Sequence, residues 1–391
     1  MPTINVNIQP EILTWVLDQI QKEKLGEKLL SNVSQWLNGS KAPTFSQIED
    51  LSRRTEIPLG YFFLEKPPVE ELKLLEFRTV DSIELTNPSR NLIDTIYEME
   101  QVQDWMKNYR RDLGYEKLSF VGSVKDERDI KTVVERIRKD LGLPVDWHKA
   151  CNDKRTAFHY IRNLLEECGV LVMINGICGK NTHRPLQVNE FRAFAMADKY
   201  APLIFINGAD SQGAKLFSII HEAVHIWIGE DDFYNDRYWK GKGIRPEEVL
   251  CNRVTAELLV PEQAFHDRWI IEMEEEGKDS IQIIHKLAKH FRCGESVIAR
   301  KALDSGKIRK VTYDVVIGNA IDKYNKSRSD KEETGGNYYN TMGSRLDKNF
   351  VRALWESIQM GRTSYGEAYH LTNTNRKTFS RIVQNLGGAD W

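Results

Sequence analysis

The residues best placed to do chemistry lie in one stretch, Leu216-Phe-Ser-Ile-Ile-His-Glu-Ala-Val-His-Ile-Trp-Ile-Gly229. It is apolar almost throughout, so a helix formed there is buried on most sides. Its polar exceptions, Ser218, His221, Glu222 and His225, fall at i, i+3, i+4 and i+7 and so share one narrow stripe of a helix. Burying them unpaired would cost on the order of 2–7 kcal/mol per polar group, and more for a charge. A zinc ion offsets that cost. Histidines at i and i+4 turn both rings toward one ion, and the intervening Glu222 reaches water beside it. The competing reading is a pair of core histidines held by ordinary hydrogen bonds.

Zinc used in catalysis takes a third protein ligand and keeps a fourth position open. The next helical stretch, Pro246 to Pro261, supplies acidic candidates in Glu247, Glu248 and Glu257. Pro246 suits a first helical position, and Pro261 ends the run. Glu248, Asn252 and Thr255 fall at i, i+4 and i+7, so Glu248 is expected to ligate while Asn252 holds a histidine ring from one turn on. Glu257 lies on another face, and Glu247 would turn Asn252 away. Cys251 is a possible soft ligand but is expected to face away from this stripe. A carboxylate at Glu248 solvated in the first turn is the alternative. With zinc polarising a carbonyl, Glu222 would move the water's proton to the leaving group. An oxyanion donor is also needed; Tyr234, Tyr238 and His183 are the candidates.

The elements that must hold this stripe read as an α+β arrangement, mainly helical. A helix over 155–168 precedes a strand at Val170 to Met173, and Phe191 to Ala197 and Leu203 to Ile206 read as two more strands. The Leu203–Ile206 strand could receive an extended substrate along an open edge. Residues 1–68 read as short helices, with Leu13, Val16, Leu17 and Ile20 at helical spacing and a helix start at Pro43-Thr44. A helical connector spans 69–150; its stripe Leu92, Ile96, Met99 and Met106 is expected to be core. The main domain covers 151–325. Lys326 to Asn337 reads as a linker, and 338–391 as a small helical C-terminal domain.

Composition narrows the class. The chain has 391 residues with a formal net charge of −2, so nothing pulls it as a whole toward nucleic acid or an anionic membrane. No apolar run approaches the roughly 20 residues that span a bilayer. Five scattered cysteines without a CxxC pair fit reduced thiols, so a cytoplasmic protein is expected.

Several of these segments, in this order, resemble the ImmA/IrrE family of zinc metallopeptidases. They are Glu190-Phe-Arg-Ala-Phe-Ala, Ala201 to Asn207, His221-Glu-Ala-Val-His225, and Glu248-Val-Leu-Cys-Asn252 through Pro261. Lys215 departs from the arginine expected there. The resemblance implies a gluzincin-like core with a small sheet and an HExxH helix, and it favours Glu248 as third ligand. It also implies a helix-turn-helix-like segment at 280–303. Residues 1–68 are similar to a degenerate XRE-type helix-turn-helix, with Phe77-Arg-Thr79 fitting the same layout. Up to residue 65, however, six Lys and Arg stand against eight acids, a poor footprint for DNA.

What the resemblance implies is a zinc endopeptidase that cleaves or inactivates a small helix-turn-helix repressor or antitoxin-like protein, in a stress response or in control of mobile elements. Two other classes remain open. One is a DNA-binding regulator with a structural or sensory metal site, and the other is a toxin–antitoxin or phage-defence component acting by protein contact.

Overall fold

Three apolar strands and a helix that is apolar all round demand cover on every side, and the fold is organised around supplying it. The computed structural model describes residues 4–20, 25–68, 88–229, 232–234, 246–274, 279–329 and 343–386. Strands β1 (Leu171–Asn175), β2 (Ala193–Met196) and β3 (Leu203–Asn207) carry unbroken apolar runs, as strands covered on both faces do. A short β4 (Asp232–Tyr234) completes a sheet ordered β1-β3-β2-β4. β3 pairs in parallel with β1, Leu171 opposite Leu203, and antiparallel with β2, Ala193 opposite Ile206. The expectation of an open edge at Leu203–Ile206 is therefore wrong: β3 is hydrogen-bonded on both sides. The sheet ends at β1 and β4 instead.

The first unit, up to Ile96, contains α1 (Pro10–Asp18), α2 (Glu27–Leu37) and α3 (Phe45–Thr55), followed by a 3-10 turn at Leu59–Phe63. Thr44 caps α3 in a reciprocal capping box with Gln47, as the Pro43-Thr44 signal anticipates. Ile12, Val16, Val33, Trp36, Ile48, Leu51 and Phe62 form its core. Phe77 to Thr79, part of the XRE-like layout, lie outside the described residues. Helix α4 (Arg90–Asp112) buries the stripe Leu92, Ile96, Met99 and Met106.

The second unit, from Tyr97 onward, holds the sheet. It comprises α5 (Ile130–Leu141), α6 (Lys154–Cys168), α7 (Gln212–Ile228), α8 (Pro246–Leu259), α9 (Glu262–Glu274), α10 (Ser280–His290), α11 (Glu295–Asp304) and α12 (Lys310–Ser329). The C-terminal helices α13 (Lys348–Gln359), α14 (Tyr365–Leu371) and α15 (Arg376–Leu386) follow. Helix α7 packs on the sheet, on α6 and on α8, within one continuous apolar core. The outer edge of β1 is closed by side chains. Asp347 accepts the Val172 N–H at 3.0 Å with one oxygen and caps α13 through the Phe350 N–H with the other. Arg162 donates to the Val172 carbonyl at 3.2 Å and pairs with Glu166 at 2.6 Å. The C-terminal helices are thus anchored to the strand layer of the main domain. Among the described residues no helix is long and apolar enough to cross a membrane.

Candidate metal centre

Helix α7 is fixed at both ends. Ser211 caps its start by accepting the Ala214 N–H, and Gly229 ends it at φ 84° with its N–H on the His225 carbonyl. Beyond that end, the carbonyls of Ile226 and Trp227 accept the N–H groups of Gly122 and Val124 at 3.1 Å each. The Trp227 indole donates to Asp140 at 2.9 Å and stacks on Phe120 at 4.4 Å between centroids. The last turn of the helix, which carries His225, is held by backbone and side chain together. Helix α8 is fixed at its far end by Lys301, whose ammonium pairs with Glu257 at 2.8 Å and donates to the Val260 carbonyl at 2.6 Å.

This framing brings three side chains to one point. His221 Nε2 and His225 Nε2 are 3.2 Å apart, and Glu248 places one oxygen 3.3 Å from the first and the other 3.4 Å from the second. Both rings are buried and Glu248 is 19% exposed. Two readings of such a cluster compete, and the carboxylate distances favour the metal. A histidine bonded to a carboxylate as an ion pair sits closer, as His266 and Glu262 do in this same chain at 2.7 Å. Zinc with tetrahedral ligands at about 2.0–2.2 Å spaces them about 3.3–3.5 Å apart. The two ring nitrogens and the two Glu248 oxygens make three contacts of 3.2–3.4 Å, close to that edge length. Two imidazoles and a carboxylate are also a donor set suited to zinc. The residues present fit the ion.

Of the acidic candidates, Glu248 alone joins the two histidines in a metal-holding group among the described residues. Glu257 is committed to Lys301 and to the N–H of Glu262. Glu222 is fully buried in the same stripe of α7, one residue after His221. Phe217 stacks on the His221 ring at 5.9 Å.

The expected role of Asn252 is not realised. Its Oδ1 is buried with no hydrogen-bond partner among the described residues, and no bond links it to either ring. The contact to His225 Nδ1 is made instead by Cys251 Sγ at 3.8 Å. The reason is helical geometry. Positions i+3 and i+4 both neighbour residue i, and α8 meets α7 along its i+3 side, so Cys251 turns in rather than away. Ser218 Oγ and Thr255 Oγ1 are likewise buried without a partner among the described residues. Ser218 and Asn252 line a cleft of about 2590 Å³ that also runs past Phe217, Arg192 and α12. Across it, the Tyr324 hydroxyl of α12 donates to the Ala209 carbonyl at 3.3 Å.

The oxyanion candidates fare differently from one another. Tyr238 lies outside the described residues, and Tyr234 is placed only as the last residue of β4, opposite Ala193. His183 is exposed in a turn, its N–H on the Asn181 side chain.

Comparison with known proteins finds a family over the same region. A peptidase family model described as the IrrE N-terminal-like domain matches residues 165–303, a span that includes β1 to β4, both ligand helices and α9 to α11. The chain thus carries a peptidase-family domain over part of its length. A second family model, a domain of unknown function, matches residues 346–385, which take in α13, α14 and all but the last residue of α15. No curated protein and no solved structure gave a match.

Proposed function

We propose that the chain is a zinc-dependent endopeptidase that acts in the cytoplasm on another regulatory protein, a small helix-turn-helix repressor or antitoxin-like chain, in a stress response or in control of a mobile element. The observation that carries the reading is the triangle of His221, His225 and Glu248 with Glu222 buried in the same helical stripe. His221, His225 and Glu248 would hold the ion. When bound there, zinc supplies Lewis-acid polarisation of a carbonyl and lowers the pKa of water toward about 7.

Glu222 then carries the proton inventory. Its carboxylate takes a proton from the water as the C–O bond forms, and returns it to the amine nitrogen as the C–N bond breaks. The Phe217 ring and the Cys251 thiol hold the two imidazoles in orientation.

The test is direct. A repressor encoded beside this protein is captured and incubated with zinc-loaded wild type and with Glu222→Gln. Cleavage by wild type should be at least about 100-fold faster, with zinc content equal in the two. Cleavage by Glu222→Gln at the wild-type rate would remove that residue from the chemistry and the mechanism with it.

A further inference from the structure

The C-terminal helices contain a layout that the peptidase reading does not use. Helices α14 and α15 are joined by Thr372-Asn373-Thr374-Asn375, the connection length of a helix-turn-helix. Asn373 adopts φ 52°, the left-handed conformation that lets the chain reverse there. The turn is tied internally. Thr372 Oγ1 donates to the Ala368 carbonyl at 2.6 Å and lies 2.7 Å from Thr374 Oγ1. Asn375 caps α15 by accepting the Thr378 N–H at 2.9 Å. Thr378, Phe379 and Ile382 are buried on the inner face of α15, as are Phe350 and Leu354 of α13 and Ala368 of α14. The outer face presents Arg376, Lys377, Ser380, Arg381 and Gln384, all exposed.

A second helix-turn-helix in the chain shows what distinguishes this one. Helices α10 and α11 are also joined by four residues, Phe291 to Gly294, with Arg292 at φ 56°. There, however, Val297, Ile298, Ala299, Lys301 and Ala302 are buried, and α12 packs against α11. What α11 leaves open includes Ser296, Arg300 and Asp304, with Arg300 paired to Asp304 at 2.9 Å, so no excess of positive charge faces outward there. Helix α3 of the first unit is more open but carries two acids against two bases, with Arg54 paired to Asp50 at 2.9 Å. Helix α15 has three bases and no acid in its 11 residues.

We propose that residues 346–385 form a DNA-binding helix-turn-helix, with α15 as the helix that enters the major groove of duplex DNA. An 11-residue helix is about 16 Å long, enough to lie along a groove about 12 Å wide. The side chains on its open face are the types that read base edges: Arg for guanine, Gln for adenine, Ser for either. Arg376 and Lys377 supply phosphate neutralisation. The exposed first turn of α15 carries Arg376 and Lys377, where recognition helices make their base contacts.

The test uses the full-length protein and a fluorescent duplex obtained by selection from a random-sequence library at 50 mM salt. Anisotropy titrations should give an affinity that falls linearly on a log–log plot against salt. Each phosphate charge neutralised contributes about 0.9 to the slope, so Arg376→Ala with Lys377→Ala should reduce it by up to about 1.8. Between 50 and 200 mM salt, wild type then loses up to about 12-fold more affinity than the double variant. The charge-preserving pair Arg376→Lys and Lys377→Arg should keep the slope but lose sequence preference. Gln384→Ala should relax preference at one position by about tenfold. Arg53→Ala with Arg54→Ala, in α3, should change nothing. All five side chains are exposed, and a thermal melt confirms that each variant is folded. The proposal falls if no duplex is selected, if the α15 double variant binds like wild type, if binding follows the α3 variant, or if single strands compete better than duplex. Glu222→Gln should bind DNA as wild type does, so this result stands apart from the peptidase test.

Discussion

The close approach of two glycines behind the ligand helix makes a sharp prediction. Gly229 ends α7 at φ 84°, and Gly122 faces it at φ 75°. A Cβ built on Gly229 would lie 2.7 Å from Gly122 Cα and 3.2 Å from its nitrogen, whereas one on Gly122 meets nothing closer than 3.8 Å. Both substitutions to alanine carry the left-handed backbone cost, about 1–2 kcal/mol. Gly229→Ala adds an overlap of about 1 Å against backbone that cannot rotate away, about 1–3 kcal/mol by comparison with overpacked cores. The totals are about 2–5 kcal/mol for Gly229→Ala and about 1–2 kcal/mol for Gly122→Ala. In a domain of this size each kcal/mol lowers Tm by about 2 °C, so the expected falls are about 4–10 °C and 2–4 °C. The site enters because relief of the clash must move the turn carrying His225, whose carbonyl bonds the Gly229 N–H. Melts at one scan rate, with and without zinc, should show a zinc-induced rise in Tm that is smaller in Gly229→Ala than in Gly122→Ala. If the two variants melt alike, backbone proximity does not hold the ligand helix as described.

Three further outcomes follow from the site and its support. Stripping metal with a chelator should lower the stability of wild type by about 2.7 kcal/mol relative to zinc at 100 times its Kd, and should leave His221→Ala unchanged in a paired calorimetric scan. Cys251→Ala should weaken zinc binding about 10-fold or more by freeing the His225 ring, while Asn252→Ala, whose Oδ1 bonds nothing described, should leave the affinity alone. Competition titration against a zinc indicator reads both, and equal effects would undo the assignment. Burial pushes the His148 imidazole down to about 4, with the charges of His290 and Lys149 adding to the effect. The unfolded chain therefore takes up a proton near pH 6.5 that the folded chain refuses. Stability from this residue is full above pH 6.5 and is lost as pH falls toward 4, by up to about 3 kcal/mol. Denaturant midpoints of His148→Phe should fall less over that interval than those of wild type.

The ligand helix was legible because its chemistry and its burial conflict. A helix with Leu216, Ile219, Ile220, Val224 and Ile226 buried around two histidines and a glutamate has few physical explanations besides a metal. Glu248 was legible for a weaker reason, its face on a second helix, and the same reasoning misassigned Cys251. Periodicity fixes which residues share a face to within about 60°, but the direction from which a second helix approaches depends on its packing. Here that direction is set by contacts remote in sequence, such as Trp147 Nε1 on the Leu258 carbonyl at 3.1 Å and Lys301 at the end of α8. The sheet order was hidden for a similar reason. An apolar run like Leu203 to Ile206 is consistent with any strand covered on both faces, and only pairing with β1 and β2 reveals that it is central.

The two helix-turn-helix segments of the second unit show the same limit from the other side. Both have a four-residue turn with a left-handed residue, and spacing alone does not rank them. What separates them is what the second helix leaves exposed. Helix α12 packs on α11, whose more open residues include Ser296, Arg300 and Asp304, while α15 keeps a polar, basic face opposite Phe379 and Ile382. In a helix that must bury one side, the composition of the other side is less constrained by packing. Arg376 and Lys377 in the first turn, with Ser380 and Gln384 on the same face and no acid in the helix, therefore point to what that face meets rather than to how the domain folds.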